Sequence, residues 1–160
     1  MPNIYHPDFD EPREHPGFRA RRARIGRQAG TRDLGVSLWE IPPGEASYPY
    51  HFHFAEEELI IVLAGTPKLR TPEGWRTLEE GEVVSFPVGE KGGHQLVNDG
   101  PEPARLLSVS TQRTEVVVYP DSGKVGAFED RPDGEGMAKL FRVEDAVDYW
   151  EGEAPPEPPR

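Results

Sequence analysis

Prolines (18) and glycines (17) break this chain into short apolar runs, and no run is long enough for an extended helix. Both residue types end regular structure, so their spacing limits what can form between them. Leu34–Ile41 reads as a strand stopped by Pro42-Pro43-Gly44, and Glu58–Leu63 as a second, apolar enough to be buried on both faces. Lys68–Thr71 and Trp75–Leu78 flank Pro72-Glu73-Gly74, a hairpin signal. Glu82–Phe86, His94–Asn98, Ala104–Ser110 and Glu115–Tyr119 complete the strands. Turn signals about every 8–12 residues predict an all-β sandwich or barrel. Only Val143–Trp150 reads as helical, and Ala154–Arg160, with four prolines, reads as a tail without regular structure. No internal repeat is visible.

At 160 residues the chain suits one domain with its own core. We read 1–30 as an arm packing on the barrel or on a partner, 31–120 as the barrel, and 121–160 as a C-terminal extension with a Pro-rich tail. No segment approaches the roughly 20 apolar residues of a membrane span, and the N-terminus lacks a secretory pattern. There is no cysteine, which excludes disulfides, thiolate metal ligands and cysteine nucleophiles. The expected compartment is the cytoplasm. A net charge of −11 argues against nucleic acid as a partner. Arg13, Arg19, Arg21, Arg22, Arg24 and Arg27 concentrate positive charge in the arm; packing against an acidic barrel or a second subunit is the expected use.

The chemistry concentrates around His51-Phe52-His53. Residues two apart in a strand share a face, so His51 and His53 present two imidazoles together while Phe52 and Phe54 turn to the packed side. Alone, such a pair is a weak signal. Glu56, Glu57 and Glu58 follow at once, and Glu58 opens an apolar strand where a lone carboxylate is costly unless a cation meets it. His94 opens a later strand after the turn-rich stretch 87–93. Three imidazole nitrogens and one carboxylate suit Mn, Fe, Ni, Cu or Zn and leave coordination positions open on an octahedral ion.

These residues resemble the two motifs of the cupin superfamily. Gly44, six residues, His51-x-His53, four residues, Glu58, six residues and Gly65 match the first, with one residue extra after Gly44. Gly81, five residues, Pro87-x-Gly89, then His94 and Asn98 match the second, with a gap of four rather than two residues before His94. The resemblance implies a double-stranded β-helix, or jelly-roll, barrel holding a divalent transition metal on His51, His53, Glu58 and His94. Within the superfamily it points to small single-domain bacterial cupins. Glu56, Glu57, Tyr50 and Asn98 are candidate supporting or substrate-contacting residues. Tyr48 is a further mouth residue, and Lys68 with Arg70 shares a strand face that is expected to be solvated. Asp121-Ser122-Gly123-Lys124 lacks the phosphate-loop pattern.

The expected function is a metalloenzyme acting on a small oxygenated molecule in the barrel, of dioxygenase or decarboxylase type. The alternatives are a sugar-phosphate isomerase or epimerase and a non-catalytic small-molecule or sugar-binding module. Edge strands and the arginine-rich arm suggest a homodimer.

Overall fold

The computed structural model describes residues 1–10, 12–129 and 136–155. Its strands are β1 (Arg21–Ala23), β2 (Leu34–Ile41), β3 (Glu45–Ala46), β4 (Phe52–His53), β5 (Glu58–Ala64), β6 (Lys68–Thr71) and β7 (Gly74–Thr77). They continue as β8 (Val83–Phe86), β9 (Gln95–Asn98), β10 (Ala104–Thr111), β11 (Glu115–Tyr119), β12 (Lys124–Phe128) and β13 (Ala138–Arg142). One sheet has the order β1-β2-β10-β5-β8; the others run β13-β12-β11-β4 and β3-β9-β6-β7. The paired strands are antiparallel throughout. An isolated bridge between His51 and His94 joins the two four-stranded sheets. This is the all-β, double-stranded β-helix architecture expected from the sequence.

The inner face of the five-stranded sheet explains why the molecule has a closed end and an open one. Register places Leu106 opposite Trp39, and Ser108 opposite both Ser37 and Ile60. Taking alternate residues, β2 contributes Gly35, Ser37, Trp39 and Ile41, and β10 contributes Ala104, Leu106, Ser108 and Ser110. From β5 come Glu58, Ile60 and Val62. One end is apolar, and there Ile41, Val62, Leu69, Leu78 and Ala104 are buried. The other end is polar and holds the candidate site. Each fully buried aliphatic side chain at the closed end contributes about 1.5–3 kcal/mol.

Several local expectations change. Val143–Trp150 is not a two-turn helix: a single 3-10 turn covers Val143–Asp145, and the rest of the segment is exposed. With no neighbour to cover Val147, Tyr149 or Trp150, nothing stabilises further turns. The arm contains a short helix, α1 (Ile25–Ala29), ended by Gly30 in the left-handed region (φ 84°). Its strand β1 pairs with β2, while β12 and β13 extend the sheet that carries β4. Phe52 is buried, but Phe54 is 58% exposed; β4 ends at His53, and although the Phe54 N–H still donates to Val116 O at 3.0 Å, its side chain lies outside the packed core. Leu59, Ile61 and Leu63 of β5 are only half-buried. Residues 156–160 of the Pro-rich tail lie outside the described residues.

Candidate metal centre

β4 and β9 bring the histidines together through the backbone. His51 N–H donates to His94 O at 3.1 Å and His94 N–H to His51 O at 2.9 Å. Such a directly opposed pair puts its side chains on one face, and the two rings lie 4.5 Å apart. His53, two residues on, faces the same way, 4.9 Å from the His51 ring. β5 supplies Glu58, whose Oε2 lies 3.3 Å from His94 Nε2 and 3.6 Å from His53 Nε2. One donor atom from each of His51, His53, Glu58 and His94 lies within 4.8 Å of every other.

The far nitrogen of each ring is already committed. His51 Nδ1 is 2.8 Å from Pro49 O, and His94 Nδ1 is 2.9 Å from Gly92 O. A carbonyl can only accept, so in the neutral rings Nδ1 carries the proton and Nε2 offers a lone pair. His53 Nδ1 meets both oxygens of Glu115, at 2.9 and 3.0 Å. These contacts fix tautomer and ring orientation, as outer partners of metal-binding histidines do. Phe86 stacks on His94 with ring centroids 3.8 Å apart and holds that ring from the other side. Ser108 Oγ–H donates to Glu58 Oε1.

The inward atoms face one another without donors to spare. His53 Nε2 is the one buried side-chain polar atom among the described residues with no hydrogen-bond partner. Burial, then the neighbouring His94 and His53, pushes His51 down to about 3, so it is neutral at ordinary pH. Burial alone would raise Glu58, but the adjoining His94 ring and the Ser108 hydroxyl outweigh it and hold the carboxylate below the usual range. Three imidazoles around a carboxylate, with an orphaned nitrogen among them, form a donor set that fits a divalent cation.

The cavity at this centre has a volume of about 320 Å³. That is at the small end of ligand pockets, about 300–1,000 Å³. Besides the four inward donors, its walls include Glu56, Glu115, Tyr48, Tyr119, Ser108 and Arg22. Glu56 Oε1 accepts from the Arg113 backbone N–H at 2.8 Å. Burial, only partly offset by that bond, pushes the Glu56 carboxyl up to about 7.

Three other candidates lie elsewhere. Glu57 is exposed. Tyr50 does not line the cavity; the Arg70 guanidinium packs over its ring at 4.1 Å. Asn98 is fully buried, and its amide donates to Ile41 O and Glu102 O, both at 2.8 Å. It ties the end of β9 to β2 and the following loop, away from the cavity. Lys68 and Arg70 pair with Asp99 and Asp121 on the outside. Sequence reasoning missed Glu115, Ser108 and Tyr119. Their one signal was inward alternation along β10 and β11, which does not say which histidine or carboxylate lies opposite.

Four of the arm's arginines pack on the barrel. Arg21 pairs with Glu40, and Arg19 with Glu45 at 3.1 Å. Arg13 lies over the Tyr48 ring at 4.2 Å, and Arg22 over Trp39 at 5.1 Å.

Comparison with known proteins agrees with this geometry. The cupin domain family matches residues 37–110. A solved structure of a candidate sugar phosphate isomerase from Acidithiobacillus ferrooxidans is 30% identical over 86% of each chain, with TM-score 0.74. A cupin-superfamily sugar phosphate isomerase from Silicibacter pomeroyi is 23% identical, covering 94% of this chain and 98% of that one, with TM-score 0.77. The polyketide cyclase RemF of Streptomyces resistomycificus is 23% identical over 69% of this chain and 78% of its own, with TM-score 0.58. At under 25% identity the last two establish likeness of fold alone. No curated protein matches the chain in sequence. The paired motifs, the barrel and these likenesses together make the chain a member of the cupin superfamily, a small cupin-domain protein.

Proposed function

We propose that the protein binds one divalent transition metal (Mn, Fe, Ni, Cu or Zn) on His51, His53, Glu58 and His94, and acts as a metalloenzyme on a small oxygenated organic molecule. The observation that carries this is the orphaned His53 Nε2 facing the Glu58 carboxylate inside a ring of oriented imidazoles. A bound metal supplies Lewis-acid polarisation of substrate oxygens, and redox chemistry where the ion allows it. The chain's own residues do the rest. Pro49 O, Gly92 O and Glu115 hold the rings, while Ser108 holds Glu58. Trp39, Tyr48 and Leu106 bound the cavity and restrict water. Glu56 and Tyr119 are the wall groups with the chemistry to take or give a proton at a substrate hydroxyl.

Oxygen or decarboxylation chemistry is the leading reading, and isomerisation is the alternative, with a non-catalytic binding module as the third. A homodimer in the cytoplasm is the expected working form. The test is turnover by metal-reconstituted protein, with small oxo- and hydroxy-acids and diketones screened beside sugar phosphates. Turnover by wild type that Glu58→Gln abolishes, with folding intact, supports a metalloenzyme. Ligand binding without turnover that survives His94→Ala overturns it in favour of a binding module.

A further inference from the structure

On its arm side the centre adjoins a second, wider space of about 870 Å³ whose walls include Arg22, Arg24, Arg27 and Arg32. Five residues line both spaces: Arg22, Gly35, Ser37, Glu56 and Ser110. Gly35 keeps the connection clear, because a Cβ there would come within 2.6 Å of Ser110 Oγ. The inner cavity and the outer vestibule are therefore contiguous along the polar ends of β2 and β10.

The charge of this vestibule is unlike that of the chain as a whole, which carries −11. Arg24 is paired with Asp10 at 3.0 Å. Arg27 and Arg32 form no ion pair or hydrogen bond through their side chains among the described residues, although Asp33 and Glu56 share the same walls. Arg22 is half-buried between the two spaces and spends its Nε and one terminal nitrogen on a single acceptor, Ser37 Oγ, at 3.0 and 2.8 Å. A guanidinium has five N–H donors, so Arg22 keeps donors free. Three arginines with unspent donors, converging where a cavity opens, match a dianion with several acceptor oxygens.

We propose that this vestibule is an anion subsite that takes the phosphoryl group of a phosphorylated small substrate, with the substrate's oxygenated end reaching the centre formed by His51, His53, Glu58 and His94. The second half rests on the metal-centre reading; the phosphoryl subsite stands on the arginines alone. Arg22 is the positioning residue at the junction, and Arg27 and Arg32 supply the outer charge.

The test uses the full chain, stripped of metal and as isolated, with inorganic phosphate as probe and malonate as a carboxylate dianion for comparison. Binding is followed by calorimetry and phosphorus NMR at two salt concentrations. Metal-free protein is expected to bind about one phosphate, more weakly at high salt, and Arg27→Ala/Arg32→Ala is expected to weaken it about tenfold or more. Both side chains are exposed, so the double variant should fold normally, which circular dichroism checks. No phosphate binding, or binding that the double variant leaves unchanged, overturns the proposal. Phosphate that binds only metal-loaded protein and ignores the double variant is a ligand of the metal; this sinks the vestibule and leaves the centre standing. Malonate binding as tightly as phosphate also overturns the phosphoryl assignment. Phosphate binding by a protein that never takes up metal supports the subsite and overturns the metal-centre reading instead.

Discussion

Both ends of the barrel interior draw on the same three strands, β2, β5 and β10, and along those strands they differ in what alternate positions carry. At the closed end, Ile41 and Val62 pack with Leu69 and Leu78 in one buried cluster, and Ala104 is fully buried. At the open end, Gly35, Ser37, Glu58, Ser108 and Ser110 occupy equivalent inward positions and leave a cavity. Period-two alternation sets the architecture at both ends, and residue choice then decides between stability and chemistry. Substitutions at the closed end should cost folding, and those at the open end should cost metal.

The largest effect is expected from His51→Ala or His94→Ala. Each removes an inward donor, and metal content should fall from about one ion per chain to about a tenth or less, with the β circular-dichroism spectrum retained. If both variants keep stoichiometric metal, the ligand assignment is wrong. Leu69→Ala acts at the other end. It should cost about 2–5 kcal/mol in urea unfolding while the folded fraction still binds metal. A Leu69→Ala protein of normal stability that had lost its metal would erase the distinction between the ends.

A smaller effect is expected at Glu115, which touches the centre only through His53 Nδ1. Glu115→Gln should weaken metal affinity about 10–100-fold, measured by chelator competition, with stability little changed. Unchanged affinity would mean that Glu115 has no part in orienting His53.

The smallest is at Glu40, on the arm side of β2. Burial raises this carboxyl, but Arg21 and Arg105 outweigh it and hold it below 4.5. A depressed carboxylate contributes stability above its unfolded pKa and loses it as pH falls through the folded value. Both arginine side chains are substantially exposed, at 50% and 36%, so screening limits the contribution to about 1 kcal/mol. Glu40→Gln should lower stability by that much at pH 7, and the difference from wild type should disappear as the pH falls through the depressed folded value of Glu40. A difference that persists under acid conditions would assign the loss to packing.

What could be read from the sequence follows the range of each interaction. Leu34–Ile41 was found as a strand because its alternation and the following Pro42-Pro43-Gly44 are local. His51 and His53 were found because a strand puts residues two apart on one face. Glu58 stands out locally as a carboxylate opening an apolar strand, and His94 as a histidine opening another, but only the family pattern joins them to one centre, since no local rule pairs them across 36 positions of chain. Glu115 lies 62 residues from His53, and neither periodicity nor a motif connects them. The helix α1 is too short, at five residues, for an apolar stripe to show. β13 gave no strand signal because all five of its residues are exposed and it is held chiefly by backbone pairing to β12. Asn98 was read from the motif as near the site, yet its amide caps backbone carbonyls, a role that residue type alone does not distinguish from ligand contact.

The most direct test of the central claim is the metal content of untagged protein, purified without added metal and measured by plasma mass spectrometry. About one Mn, Fe, Ni, Cu or Zn per chain, lost when His51 or His94 is replaced by alanine, is the predicted result. No metal as isolated, and none taken up on incubation with these ions, would contradict the account and leave a cupin barrel whose inward histidines serve some other purpose.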